Sequence, residues 1–260
     1  VMTWCGDCET AVAKHECEYE NVNEKSIFVK FPIKGKKNEF LIIWTTTPWT
    51  IPFNLGIMAG PKLDYVKVEV TGGEKWILAK ALAGMVVQSV ADKKMKVLEE
   101  FKGKELEGLE YTHPFEDDFP IYSELKKDHP NVHTVILSEL YVDVSAGTGL
   151  VHTAPGSGPE DQIACKPYDI PPYNTLTEGG EFAEGTGKFS GLKAKHDEVA
   201  QEAQKIWDES FSELPTEEYS RYFKKKGIDP IGVKYGLNPN AFPSVIIPFY
   251  NIETYIRTLQ

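Results

Sequence analysis

Three consecutive hydroxyls between two indoles, Trp44-Thr45-Thr46-Thr47-Pro48-Trp49-Thr50, are the residues of this chain best suited to chemistry. A row of threonine side chains can donate to a carbonyl, hold a water or receive a ribose. Threonine also favours strands, which accounts for any one of the three but not for the block. A second block runs Gly147-Thr148-Gly149-Leu150-Val151-His152-Thr153-Ala154-Pro155-Gly156-Ser157-Gly158-Pro159-Glu160-Asp161 and sets a histidine and an aspartate on either side of one loop. His152 can donate, accept or transfer a proton near neutral pH, and Asp161 can anchor a ligand ammonium. Taken singly, each also suits an ordinary role, a hydrogen-bonded strand histidine and an aspartate answering a helix dipole. There is no Gly-x-Ser-x-Gly elbow, and Cys165 has no evident base partner, so the residues speak against a covalent nucleophile.

The elements that must position these groups can be read from periodicity. Phe40-Leu41-Ile42-Ile43-Trp44 is apolar and β-branched, a buried strand that delivers the threonines at its carboxyl end. Pro48 ends the ladder and holds Thr47 extended. Gly147 and Gly149 permit positive φ, Leu150–Ala154 reads as a short strand, and Pro159 opens a helix running to about Tyr168. Strands are predicted at 27–33, 40–46, 65–70, 75–79, 96–101, 132–138 and 150–154. Helices are predicted at 81–90, 160–168 and 194–208, the last with Val199, Ala203 and Ile206 on one face. Many short strands with few helices indicate a barrel-like α+β domain. The loop Thr112–Tyr122 reads as a connection in preference to a substrate-side flap.

Together the two blocks resemble the editing (CP1) domain inserted into the class I aminoacyl-tRNA synthetases for isoleucine, leucine and valine. Trp-Thr-Thr-Thr-Pro-Trp-Thr at 44–50, followed about a hundred residues later by Gly-Thr-Gly-Leu-Val-His-Thr-Ala-Pro, carries the resemblance, and the context of His152 is most similar to the isoleucyl member. Leu63-Asp64-Tyr65-Val66-Lys67-Val68 and Gly185-Thr186-Gly187-Lys188-Phe189-Ser190-Gly191-Leu192 also fit, and the similarity covers roughly Val1 to Asp208. It implies a closed β-barrel decorated by helices, with the site where the two motif strands converge. The implied activity is hydrolysis of valine from the tRNA for isoleucine, with valyl-adenylate as a further substrate. The implied selection by exclusion, in which valine fits and isoleucine does not, is the double sieve for which these very enzymes are the standard illustration, and it is not read from the residues.

Carried across by position, the resemblance makes Thr45, Thr46 and Thr47 the catalytic wall, with Asp161 holding the α-ammonium of the misattached amino acid. Trp49 would close against the nucleotide, His152 would shape the amino-acid pocket, and Gly147, Gly149 and Pro155 would complete the substrate side. No cofactor is implied for editing. The implied partners are the 3′ end of tRNA, misactivated valine and the rest of the synthetase, with no membrane. The chain departs from the family pattern at Gly156-Ser157-Gly158, where Gly-His-Gly is usual, and at Gln162, where an aromatic is usual. Two alternatives stand beside this reading. A leucyl or valyl editing insert is disfavoured by His152 and its Thr-Ala-Pro context, and a noncatalytic tRNA-docking insert by Thr47 and Asp161.

Composition sets further bounds. At 260 residues and 41% hydrophobic, the chain can fill a real core, and it has no apolar run long enough to cross a bilayer and no signal-peptide pattern, which predicts a soluble, cytoplasmic fragment of a longer protein. A formal net charge of −11 argues that most tRNA contacts come from elsewhere, since phosphate binding is led by lysine and arginine. The clusters at Lys34-Gly35-Lys36-Lys37, Lys93-Lys94-Met95-Lys96 and Lys224-Lys225-Lys226 read as solvated faces. Four cysteines, at 5, 8, 17 and 165, suit a reducing compartment. Cys5-Gly6-Asp7-Cys8 is half of a possible structural zinc site. In some isoleucyl synthetases a second pair beyond the insert completes a similar motif, and completion here by His15 and Cys17 is disfavoured. No catalytic metal is predicted. The domain expectation is residues 1–210 as the editing domain, with 1–20 a cysteine-containing opening segment, and 211–260 as a tail of separate origin. Pro243–Ile256 is similar to the opening strand of family 2 glycosyltransferases but lacks a downstream Asp-x-Asp motif.

Overall fold

The computed structural model describes residues 4–13 and 26–194. Within them, Trp4–Cys5 (β1) and Thr10–Ala11 (β2) form a small antiparallel hairpin, and eight further strands form one mixed sheet. These are β3 (Ile27–Pro32), β4 (Glu39–Thr45), β5 (Gly56–Ala59), β6 (Asp64–Val70), β7 (Lys75–Ala79), β8 (Met95–Lys102), β9 (Thr134–Leu137) and β10 (Leu150–Thr153). The helices are short: α1 (Lys80–Ala83), α2 (Ile121–Asp128) and α3 (Pro159–Cys165).

The strand β4 is the branch point of the sheet. One edge pairs antiparallel with β3 along its length, from Phe40 opposite Pro32 to Thr45 opposite Ile27. On its other edge Glu39–Leu41 lie parallel to β7, and Trp44 lies parallel to β10, opposite Val151. The middle of a strand covered on both edges and both faces must be apolar, and Leu41, Ile42 and Ile43 are accordingly buried. From β10 the sheet continues through antiparallel β5 to parallel β9. It then closes through two single-residue bridges, Glu110 with Thr134 and Tyr111 with Ile33, which return it to β3. The hydrogen bonds Thr112 N to Pro32 O (2.8 Å) and Tyr111 N to His133 O (3.1 Å) complete that seam. The result is a small barrel with β6, β7 and β8 as a wing.

The predicted strands recur within two residues at their ends, while β5 was not anticipated. Its four residues are all buried and show no alternation, a pattern that a short apolar run shares with any core segment. The predicted helix at 81–90 is α1 continued by a π-helical stretch, Gly84–Val90, and that at 160–168 is α3 tightening into a 3-10 turn at Lys166–Tyr168. The helix predicted at 194–208 lies outside the described residues apart from Ala194, as do the tail at 211–260 and the pair His15 and Cys17.

One charge sits inside the wing side of the core. Lys30 on β3 is 6% exposed, its Nζ 2.8 Å from Glu74 Oε1 and 5.0 Å from the centroid of the Phe40 ring. The same carboxylate accepts a hydrogen bond from the Trp76 indole at 2.8 Å. Burial pushes the Lys30 ammonium down to about 8, with Glu74 opposing the shift. Unfolding restores an ordinary lysine, so between pH 8 and about 10.5 the unfolded chain binds the extra proton, and the contribution to stability rises with pH there and is lost as pH falls through 8. The wild-type chain should therefore gain a few kcal/mol relative to Lys30→Met across that window in denaturant titrations. A difference that stays flat from pH 8 to about 10.5 would show that the amine is not held against its charge.

Candidate functional site

Where the carboxyl end of β4 runs beside β10, a cleft of about 480 Å³ opens, and Thr45, Thr46 and Thr47 all line it. Trp44 forms the adjoining wall together with Gly147 and Gly149. Both glycines have positive φ, +73° and +72°. A Cβ on Gly149 would lie 2.3 Å from that of Ala79, and one on Gly147 would lie 3.0 Å from the Trp44 ring. Only glycine lets this loop cross so close to β4 and β7.

After Thr47 the chain enters a 3-10 turn, Pro48–Phe53. Three residues per turn place Thr50 on the side of Thr47, and both line the cleft. The hydroxyls form a connected set: Thr45 and Thr47 Oγ1 are 3.1 Å apart, the Thr47 amide donates to Thr45 Oγ1 at 3.1 Å, and Thr50 Oγ1 donates to Thr47 O at 2.8 Å. His152 joins this set through Nε2, 2.9 Å from Thr50 Oγ1. Its Nδ1 is 2.8 Å from Asn54 Nδ2, which also donates to Gly56 O at 2.8 Å. An amide nitrogen only donates, so Nδ1 is the acceptor and the proton of the neutral ring sits on Nε2, donated to Thr50. Burial holds the imidazole down to about 3. With both nitrogens engaged and its basicity lowered by burial, His152 is held as part of the wall and has no ring nitrogen free to take a proton.

Asp161, in the first turn of α3, lines the cleft with Ser157 and Gly158. Its Oδ2 accepts a hydrogen bond from the Ala154 amide at 2.8 Å, and burial raises its pKa. A second carboxylate, Asp143, lies on the loop that completes the lining; its Oδ1 accepts from both the amide and the hydroxyl of Ser145, at 2.8 and 2.6 Å, which lower its pKa. Among the described residues no lysine or arginine lines the cleft. Two carboxylates, a neutral imidazole and a run of hydroxyls suit a ligand that carries a cation beside a carbonyl.

The structure thus brings Thr45, Thr46, Thr47, Gly147, Gly149, His152 and Asp161 to one cleft. It does not bring Trp49 or Pro155 there. The 3-10 turn that aligns Thr47 with Thr50 rotates Trp49 away, and the indole instead lines a neighbouring cleft with Trp4 and Asn174. Pro155 is buried and does not line the cleft, although Ala154, Ser157 and Gly158 of the same loop do. Cys5 and Cys8 lie on the β1–β2 hairpin, where the Cys8 amide donates to Cys5 Sγ at 3.3 Å. Among the described residues no group of three or more His, Cys, Asp or Glu side chains could hold a metal ion. Sequence reasoning missed Asn54, which is fully buried, and the lining loop with Tyr141 and Asp143. A lone asparagine ten residues beyond Trp44 carries no signal until β10 is placed beside it.

Two outcomes follow from these environments. A carboxyl whose pKa is raised by folding favours the folded state below about pH 4 and disfavours it as pH rises through the raised value. Asp161→Asn, which keeps an acceptor for the Ala154 amide, should be as stable as wild type or more so at pH 7, whereas Asp161→Ala should cost about 1–3 kcal/mol by orphaning that amide; thermal melts that rank Asn below Ala would refute this. For His152 the folded pKa is depressed, so stability present above about pH 6.5 drains away as pH falls toward 3. Wild type should lose several kcal/mol relative to His152→Gln over that range in urea titrations.

No family model matches the chain. Over 200 residues it is 49% identical to the isoleucine–tRNA ligase of Pyrococcus abyssi, covering 75% of this chain and 18% of the relative. With that of Methanocaldococcus jannaschii it shares 41% identity over 204 residues, 75% of this chain and 19% of the relative. The chain therefore spans about a fifth of the length of the curated relatives it matches. In fold it is similar to the crystal structure of GlLeuRS-CP1, with a TM-score of 0.52, 14% identity, and coverage of 74% of this chain and 100% of that one. Sequence identity to the ligases agrees with the threonine and Gly-Thr-Gly blocks that meet in the cleft, and the chain belongs to the isoleucine–tRNA ligase family, with the fold of a CP1 domain.

Proposed function

We propose that this domain hydrolyses the ester of valine misattached to the tRNA for isoleucine. The observation that carries the reading is the cleft itself, in which Thr45, Thr46 and Thr47 and the Asp161 carboxylate are gathered, with no lysine or arginine among the described residues that line it. An aminoacyl ester is already activated, so a positioned water and donors for the developing oxyanion suffice. In this mechanism Asp161 holds the α-ammonium through Oδ1, its Oδ2 being tied to the Ala154 amide. The ester carbonyl then faces the threonine hydroxyls. Water adds to the carbonyl carbon, the bond to the ribose oxygen breaks, and that oxygen leaves with a proton from the attacking water. Threonine hydroxyls orient the water and donate to the oxyanion. His152, fixed by Thr50 and Asn54, bounds the space for the amino-acid side chain and excludes one methylene more than valine carries.

The chain's net charge of −11 leaves grip on the tRNA backbone to the rest of the synthetase. Residues 1–210 are taken as the editing unit and 211–260 as a separate tail. Cys5 and Cys8 would supply two of the four ligands of a structural zinc in the full enzyme, completed from beyond the described residues.

The test is hydrolysis of valyl- and isoleucyl-tRNA, both on the isoleucine tRNA, at high concentration of this chain. Valine should be released and isoleucine spared. The double variant Thr47→Ala/Asp161→Ala should abolish release, and His152→Ala should extend it to isoleucine. Valine release that survives the double variant removes the site assignment. If wild type releases neither amino acid and also fails to bind a nonhydrolysable valyl-adenosine, the domain is a docking module.

A further inference from the structure

The 3-10 turn Pro48–Phe53, which leads from the threonines to Asn54, has few bonds of its own, because Pro48 and Pro52 contribute no amide donors. What holds it is a set of buried side chains from a single stretch of sequence, 111–133, none of which lines the cleft. Tyr111 donates its hydroxyl to Asn54 Oδ1 at 2.6 Å. His113 Nε2 donates to Ile51 O at 2.9 Å while its Nδ1 accepts the Phe115 amide at 3.0 Å. The Tyr122 hydroxyl donates to Pro52 O. His133 Nε2 donates to Asn54 O at 3.2 Å. The end of the turn is thus gripped through the main-chain carbonyls of Ile51, Pro52 and Asn54 and through the side-chain amide of Asn54.

The four rings also pack on one another. His113 lies 4.7 Å from Tyr122 and 5.2 Å from His133, and His133 lies 4.8 Å from Tyr122 and 5.6 Å from Tyr111, centroid to centroid. All four are at most 2% exposed. Because Tyr111 also forms the bridge that closes the barrel and His133 immediately precedes β9, the grip is anchored in the sheet and not in a mobile loop. Burial keeps both imidazoles neutral, His133 down to about 4 and His113 well below its ordinary value, so His113 retains the Nδ1 acceptor and Nε2 donor that its two contacts require.

We propose that Tyr111, His113, Tyr122 and His133 form a buried clamp of positioning residues that fixes the turn bearing Thr50 and Asn54, and through Asn54 sets the tautomer and orientation of His152. The segment between the predicted strands is then neither a flap nor a simple connection. It acts on the cleft from below, by way of Asn54 Nδ2 on His152 Nδ1 and His152 Nε2 on Thr50. The geometric part of this inference stands on the contacts alone, and its catalytic part rests on the hydrolysis proposed above.

The experiment uses the whole chain with ¹⁵N-labelled histidine rings, in wild type and in Tyr111→Phe, Tyr122→Phe and Tyr168→Phe. Each variant removes one hydroxyl at constant shape. Tyr168 is the matched control, since its hydroxyl accepts from the Leu137 amide and donates to Glu107 away from the turn. The wild-type spectrum should show His152 protonated on Nε2 with Nδ1 an acceptor. The ring resonances of His152 should move in Tyr111→Phe and Tyr122→Phe and stay in place in Tyr168→Phe. Turnover of the valyl ester at saturation should fall by about tenfold in the two clamp variants, the loss expected when a buried acceptor is orphaned, with KM within about twofold of wild type. His152 protonated on Nδ1, or ring resonances that stay in place in both clamp variants, overturns the clamp. Resonances that move without any change in turnover overturn its catalytic part. If the wild-type chain releases no valine, the hydrolysis reading fails while the spectra still decide the clamp.

Discussion

The parallel contact between β4 and β10, with Trp44 opposite Val151, is the constraint on which the rest of the site depends. Adjacent strands lie about 4.8 Å apart, so this one register point sets the residues after Trp44 beside those around Val151, although more than a hundred positions separate them in sequence. A slip of one residue would turn every β10 side chain to the opposite face and take His152 out of reach of Thr50. The glycines at 147 and 149 serve that register. They let the chain approach β4 and β7 more closely than any side chain would allow. Closure of the barrel at Glu110 and Tyr111 then removes one pair of free edges and gives the cleft a rigid floor.

Polarity inside such a floor is stable only when it is fully paired. The hydrogen bonds run in one direction, from Tyr111 to Asn54, from Asn54 to His152, from His152 to Thr50 and from Thr50 to the Thr47 carbonyl. A chain of this kind spends its donors internally and leaves hydroxyls of the threonine wall as the groups facing a ligand. It also withholds a base. The hydrolysis proposed above asks for little more, because an activated ester needs mainly position and charge complementarity. The acidic lining fits the same picture, because it attracts an ammonium and repels a phosphate backbone that the rest of a synthetase would have to hold.

How much of this could be read from the residues follows from the range of the forces involved. The sequence determined what is local: β4 from its unbroken apolar run, the break at Pro48, the turn glycines at 147 and 149, the start of α3 at Pro159, and the candidate roles of Thr45–Thr47, His152 and Asp161 from their residue types. Each rests on backbone sterics or on a side chain's own inventory of donors and acceptors, which need no partner far along the chain. Tertiary structure decided the rest. Whether Thr50 or Trp49 faces the cleft hangs on a 3-10 twist between two prolines, and only packing selects that twist over an extended run. Asn54, Tyr111, His113 and His133 have no motif, because a buried hydrogen bond between residues 54 and 152, or 54 and 111, depends on which strands become neighbours. The protonation of His152 was undecidable for the same reason: an imidazole alone can be acid, base or ligand, and it becomes a neutral wall only when burial removes its water and two fixed partners claim both nitrogens.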